Sequence, residues 1–264
     1  MDLSTVLGLV IGIGGILLGY LLEGGSLGAL VSIPSMFIIF GGTIGAVMVT
    51  VTMKEVMSVP RLFVSAMTLH KSSESDLIEV FVRLSEVARK EGLLSLENII
   101  EQEVGDNFDP MLKKGIRMVV DGTELELVKN MFETEIYIHE MQGKTETAMF
   151  EAAGGFSPTM GIIGTVMGLV KVLGNLSDPE ELSKSIAAAF IATLYGIFFA
   201  NIVFLPIASK LKLKGAQSKL EKELIMEGVL SIQAGENPAI IREKLSAFIP
   251  NGIKKASTEP KEEE

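Results

Sequence analysis

The 264-residue sequence predicts an all-α membrane protein, with four transmembrane helices in two hairpins and a helical cytoplasmic domain. Three observations carry this. First, the stretches 3–22, 24–53, 152–170 and 185–209 contain no Asp, Glu, Lys or Arg. Each is long enough for a membrane helix, which needs ~20 mostly apolar residues to cross ~30 Å of hydrocarbon. Second, the basic residues are lopsided. None precedes Lys54, eleven lie in 54–144 and ten in 210–261, whereas the loop after the third stretch has only Lys171 and Lys184. An excess of Lys and Arg marks the cytoplasmic side, so both termini are expected there. Third, no segment shows the period-2 alternation of a strand. Mean hydropathy is +0.42 although 21% of residues are charged and the net charge is −10, so charge is concentrated outside the four stretches. A pI near 4.9 disfavours nucleic acid as a partner, which needs basic surface. The absence of Cys excludes disulfides, thiolate nucleophiles and Cys-ligated metal.

Taken in order, residues 1–53 hold the first two spans, joined by a loop around Glu23 to Ser32 that has no Lys or Arg. The first is read as a retained helix, because it lacks the basic n-region of a cleavable signal and is long for its apolar core. Residues 54–146 read as a cytoplasmic helical domain. Ser72 and Ser73 can cap a helix whose Leu77, Ile78, Phe81, Leu84, Val87 and Ala88 share one face, and Gly92 is a suitable stop. A second helix starts at Ser95. A third opens at Asp109-Pro110, an N-cap followed by Pro at the first helical position, and ends at Gly122. Thr123 and Glu126 have capping-box spacing, and one helix is expected from near Glu124 into the third span. Residues 147–211 hold the last two spans and a short extracytoplasmic loop. Residues 212–253 form cytoplasmic C-terminal helices, the first continuing the fourth span to about Ala234 and the last opening at Asn237-Pro238. The tail 254–264, ending in Glu-Glu-Glu, is expected to be disordered.

Small residues mark the last two spans: Gly161, Gly164 and Gly168 on the third, and Ala188, Ala192, Gly196 and Ala200 at a four-residue step on the fourth. Such steps let helices approach closely in lipid, within one subunit or against another. Pro158 and Pro206 each remove a backbone donor inside a span and predict a kink. Thr165 and Thr193 are the notable polar groups. Each hydroxyl can bond its own i−4 carbonyl, or, if both face one interface, they line an ion or water path. Ion carriers usually hold a carboxylate within the membrane, and the four stretches have none, so a partner would have to bring it. No nucleophile–base pair, phosphate loop or metal-ligand cluster appears, and His70 and His139 fall in the polar region, so no enzyme and no cofactor are expected.

The segment Pro158-Thr-Met-Gly-Ile-Ile-Gly-Thr-Val-Met-Gly-Leu169 and the later Ala187-Ala-Ala-Phe-Ile-Ala-Thr-Leu-Tyr-Gly196 with Ala200-Asn201 resemble the MotA family of the MotA/TolQ/ExbB class. Arg89-Lys-Glu-Gly-Leu-Leu-Ser-Leu-Glu97 is similar to that family's cytoplasmic pattern, and the resemblance covers nearly the whole chain. It implies a flagellar stator A subunit in the bacterial inner membrane, five copies surrounding a MotB-type dimer whose Asp binds the ion. The ring then turns the rotor protein FliG. On the same resemblance Thr165 and Thr193 face the partner's Asp, Pro158 and Pro206 couple ion passage to motion, and Arg89, Lys90 and Glu97 engage the rotor. The expected ion is the proton. Sodium is the alternative, since sodium-driven relatives carry Thr where this chain has Thr165, although a sodium site needs several oxygens. An ExbB/TolQ-like subunit that energises an outer-membrane system is the second reading, disfavoured because that branch typically has three spans. A membrane scaffold without ion transport is the third.

Overall fold

A computed structural model describes residues 2–68, 74–103, 108–174 and 179–249, with backbone alone for 101–103. His70, the Ser72 and Ser73 caps and the tail 254–264 lie outside these residues. Among the described residues there are helices and no strand.

Helix α1, Leu3–Leu22, coincides with the first charge-free stretch, and Asp2 caps it by accepting from Ser4 N–H. The second stretch opens with the loop expected around Glu23 to Ser32. Gly24 sits at φ +86°, a left-handed conformation that suits glycine, and a 3-10 turn follows at Leu27–Leu30. The helix proper, α2, starts only at Ile33 and runs Ile33–Thr50. Pro34 in its first turn is pre-organised for a helix start. Helix α3 is Met53–Ala66, its start held by Glu55 accepting from Thr52 N–H at 2.6 Å.

The next helices follow their punctuation. They are α4, Glu74–Glu91, stopped by Gly92 at φ +88°; α5, Leu96–Glu103; and α6, Pro110–Val120, capped by Asp109 accepting from Met111 N–H at 2.9 Å. Helix α7 is a single run, Leu125–Gly174, through Gly154-Gly155 and Pro158. Helix α8 runs Pro179–Gln233. The expected disturbance at Pro206 takes the form of a widened turn over Phe199–Phe204. There Leu205 N–H reaches back five residues to the Ala200 carbonyl, because Pro206 has no donor to continue the ordinary pattern. Helix α9, Pro238–Ser246, is capped by Asn237, which accepts from Ala239 N–H at 3.0 Å.

The chain forms two compact units, residues 1–69 with 142–214, and residues 70–141 with 215–264. The first has a small core of Leu62, Ala66, Met149, Phe150, Ile207, Ala208 and Leu211. Leu62 and Ala66 come from α3, within the segment that the sequence division assigns to the polar domain. Most of this unit's apolar surface faces outward. Helix α1 buries no residue, and Val49 on α2 is 88% exposed. Four helices are long and apolar enough to cross a membrane, and for such helices an outward apolar face is what lipid or neighbouring helices require. The second unit is built the opposite way, round a closed core that includes Leu77, Phe81, Leu84, Leu112, Phe132 and Ile225. Glycines let its helices touch: a Cβ on Gly115 would stand 2.7 Å from Phe132 Cζ, and one on Gly228 2.6 Å from Phe81 Cδ1.

Candidate functional site

The third and fourth spans meet along a seam of small residues. A Cβ added to Gly168 would lie 2.7 Å from Ala189 Cβ, and one on Gly164 2.7 Å from Ala192 Cβ. One on Gly161 would lie 3.1 Å from Thr193 Cα, and one on Gly196 2.6 Å from the Ser157 carbonyl oxygen. Gly161, Gly164 and Gly168 on α7 therefore all lie in the seam, as do Ala192 and Gly196. The four-residue step does not describe the α8 side fully. With 3.6 residues per turn, a stripe drawn at strict fours drifts round the helix. Ala189, not Ala188, meets Gly168. Ala188 sits beside α2, its carbonyl accepting from Ser35 Oγ at 3.1 Å, and Ala200 is buried in the widened turn.

Thr165 and Thr193 meet at the middle of this seam and hydrogen-bond to each other. Thr165 Oγ1 also approaches its own i−4 carbonyl, Gly161, at 3.1 Å, and the Ala189 carbonyl of the facing helix at 3.0 Å. Thr193 Oγ1 lies 3.5 Å from the Gly161 carbonyl. The acceptor that Thr193 would take within its own helix, the Ala189 carbonyl, is thus met by Thr165. Two hydroxyl protons serve two carbonyls and each other, so the node holds more acceptor oxygen than donor hydrogen. That excess favours a proton or cation over an anion. The hydroxyls of Thr43, Ser157 and Ser185 are buried and have no partner among the described residues.

Two residues that sequence reasoning missed brace this arrangement. Tyr195 donates its hydroxyl to the Leu30 carbonyl and accepts from Ser32 N–H at 3.3 Å, tying the approach of α2 to α8. Its ring and that of Phe40 both pack edge-on against Phe199, with Phe40 and Phe199 centroids 4.6 Å apart. A polar residue in a charge-free span was the available signal. Asp2 is the second. Its buried carboxylate accepts from Ser4 and Thr5 hydroxyls and pairs with Lys210, while its N–H donates to the Met67 carbonyl at 2.7 Å. The Lys210 ammonium, helped by Ser4, holds the Asp2 carboxyl far below the usual carboxylate range. Lys214 adds bonds to the Ser65 and Thr68 carbonyls at 2.5 and 2.8 Å. The start of α1, the end of α3 and the stretch of α8 beyond Pro206 are therefore tied in one polar knot.

The two prolines occupy neighbouring ground. Pro158 leaves the Gly154 carbonyl without its helical donor, and Leu205, the residue before Pro206, lies directly over Gly154. In the second unit Arg89 and Lys90 occupy the last turn of α4 and Glu97 the first turn of α5, on either side of the Gly92 turn. All three are exposed, and no ion pair between them occurs among the described residues. Leu94 stands between them, 74% exposed. No group of three or more His, Cys, Asp or Glu placed to hold a metal occurs among the described residues.

Helices of this length and outward apolarity, closing on a paired-hydroxyl node, define an all-helical membrane-integral protein. Residues 104–224 match the MotA/TolQ/ExbB proton channel family and residues 6–92 the motility protein A N-terminal family. The chemotaxis protein PomA of Vibrio alginolyticus is 37% identical over 96% of this chain and 97% of its own. Motility protein A of Bacillus subtilis is 36% identical over 95% and 92%. The flagellar MotAB stator complex from Bacillus subtilis superposes with a TM-score of 0.88 at 35% identity, covering 97% of this chain and all of that one. The C. jejuni MotAB structure gives 0.88 at 28% identity, covering 98% and all of that chain. The chain belongs to the motility protein A family, whose members are stator ion-channel subunits of the flagellar motor and not enzymes. Full-length similarity to these proteins favours the stator reading over the ExbB/TolQ-like one.

Proposed function

We propose that this stator subunit borrows its ion-binding carboxylate from a MotB-type partner and passes the ion at the Thr165–Thr193 node. The observation that carries the reading is the pairing of two hydroxyls and two carbonyls inside spans that contain no acid. A charge is costly at membrane depth unless polar groups meet it, and this node supplies them where a partner's helix can reach the seam. The proposed assembly is five copies round a partner dimer in the bacterial inner membrane, with two hairpins, both termini in the cytoplasm and the second unit as the cytoplasmic domain. The proposed ion is the proton, because the node offers four oxygens of which two are already hydrogen-bonded backbone carbonyls. Pro158 and Pro206, each facing a backbone group without its usual partner, give the last two spans a place to flex when the node changes occupancy. Arg89, Lys90 and Glu97 are the proposed contact with the rotor protein FliG. Exposed charge pairs contribute only ~0–1 kcal/mol each, which suits a contact made and broken on every step.

The test is complementation. A strain lacking its own stator genes receives this chain with its B-type partner, and swimming speed is recorded against external sodium at fixed pH. Swimming that is independent of sodium is expected; a strict sodium requirement reverses the ion assignment. Thr193→Ile should abolish swimming and Arg89→Glu should impair it, while membrane insertion and co-purification with the partner persist. Normal swimming in both variants would favour the scaffold reading.

A further inference from the structure

Between α2, α7 and α8 the first unit holds a crevice of about 380 Å3. Its rim carries Lys171, Glu181 and Lys184, its walls Ser35 and Ser185, and Ala189 lines its inner end. Three features bear on what passes through it. Ala189 joins the crevice to the threonine node, because the Ala189 carbonyl is the acceptor for Thr165 Oγ1 at 3.0 Å. Ser185 is 4% exposed, and its hydroxyl has no partner among the described residues. A buried polar group in that state calls for a water or an ion to meet it. Further polar groups follow the same wall: Ser32 and Ser35 hydroxyls are 2.8 Å apart, and Ser35 donates to the Ala188 carbonyl at 3.1 Å.

Beside the crevice the two spans are close-packed: a Cβ on Gly168 would stand 3.2 Å from Ala189 Cα. We propose that this crevice is the outer access route by which the driving ion, a proton carried on water, reaches the Thr165–Thr193 node. The Ser185 hydroxyl is its inner ligand, and the Lys171–Glu181 pair is the gate at the rim. The proposal rests on the reading of Thr165 and Thr193 as the ion path. Lys171 pairs with Glu181 and Lys184 with Glu180, each at 2.6 Å, so these four charges of the rim are paired among the described residues. Passage exchanges one pair for another. Glu181 turns from the Lys171 ammonium to the incoming ion, and the rim never holds a bare carboxylate.

The chain has no Cys, so Ser185→Cys introduces its single thiol. Cells swimming on the chain and its B-type partner are treated from outside with a membrane-impermeant cationic methanethiosulfonate. Loss of swimming is expected for Ser185→Cys. No change is expected for the unsubstituted chain or for Phe190→Cys, which lies on an exposed face of α8. Should Ser185→Cys not swim before treatment, Lys184→Cys on the rim takes the same test. Ser185→Ala should raise the driving-ion concentration that gives half-maximal speed and leave the speed at saturating ion unchanged, a split that a packing role would not produce. Full speed after treatment in both cysteine variants, or equal loss in Phe190→Cys, overturns the route. If Thr193→Ile still abolishes swimming in that case, the ion-path reading stands and only the access route falls; if Thr193→Ile also swims normally, both fall.

Discussion

His139 is half-buried on α7, within reach of charges on three helices. Burial pushes its imidazole below its ordinary range, the Lys222 ammonium adds to that, and the Asp109 and Glu135 carboxylates oppose it. Its folded form therefore stays neutral at a pH where the unfolded chain, titrating near 6.5, has already taken up a proton. In that window the unfolded state binds more protons, so stability rises with pH and is lost as pH falls below about 6.5. Thermal unfolding of the detergent-solubilised chain should shift to lower temperature between pH 7 and 5, and His139→Gln should flatten part of that slope. An unchanged slope in the variant would show that other groups carry it. At this scale the sequence was informative about residue type and uninformative about pairing. Thr165 and Thr193 stood out as hydroxyls in apolar spans. That Thr165 reaches the acceptor belonging to Thr193's own helix depends on how closely α7 and α8 approach at Gly161 and Gly196, which is a tertiary property. Arg89, Lys90 and Glu97 are ordinary exposed charges by composition, and only resemblance to a family distinguished them.

Helix boundaries were legible where a residue with its own conformational preference marked them. Gly92, Asp109-Pro110, Gly122 and Asn237-Pro238 each end or begin a helix at the expected place. The loop around Glu23 to Ser32 was legible although the stretch is free of charge: after a 3-10 turn at Leu27–Leu30, α2 starts at Ile33. The seam between the last two spans was legible as a stripe of small residues, but its α8 register was not, since the choice between Ala188 and Ala189 is made by α2 packing on the other side. The seam yields a matched pair of substitutions. In Gly161→Ala the new methyl would meet Thr193 Cα at 3.1 Å and the Ala192 carbonyl oxygen at 3.2 Å, both backbone-bound and unable to turn aside. In Gly155→Ala, six residues earlier on the same helix, nothing lies within 4 Å. Overpacking costs about 1–3 kcal/mol, against a gain of about 1 kcal/mol in helix propensity from Gly to Ala. Gly161→Ala should therefore separate the spans, break the threonine node and sharply reduce swimming, with membrane abundance retained. Gly155→Ala should swim normally or be slightly more stable. Equal behaviour of the two, measured as swimming speed at matched protein levels, would mean that the seam tolerates a methyl.

The whole molecule divides its chemistry between two cores that share no residue. One is sparse, with apolar side chains turned outward on every span; the other is closed and largely apolar, with Glu221 and Lys222 buried beside it. The lopsided charge of the sequence is this division seen in one dimension, and it was legible for that reason: lipid excludes charge from the spans, so every charge must collect elsewhere. Separate cores also imply that stability need not be lost in one cooperative step, which single small domains usually show and multi-unit chains often do not. Gly228→Ala tests this. Its new methyl would stand 2.6 Å from the Phe81 ring, a side chain with no exposed surface and no room to retreat. A loss of about 1–3 kcal/mol is expected there, larger than the gain of about 1 kcal/mol in helix propensity. Hydrogen exchange of the full chain in detergent should then quicken at the amides of α4, α6 and the Leu224–Leu230 segment, while amides along Gly161–Gly168 keep their protection. Uniform loss of protection across both sets would show that the two cores unfold as one, and that the division by charge has no counterpart in stability.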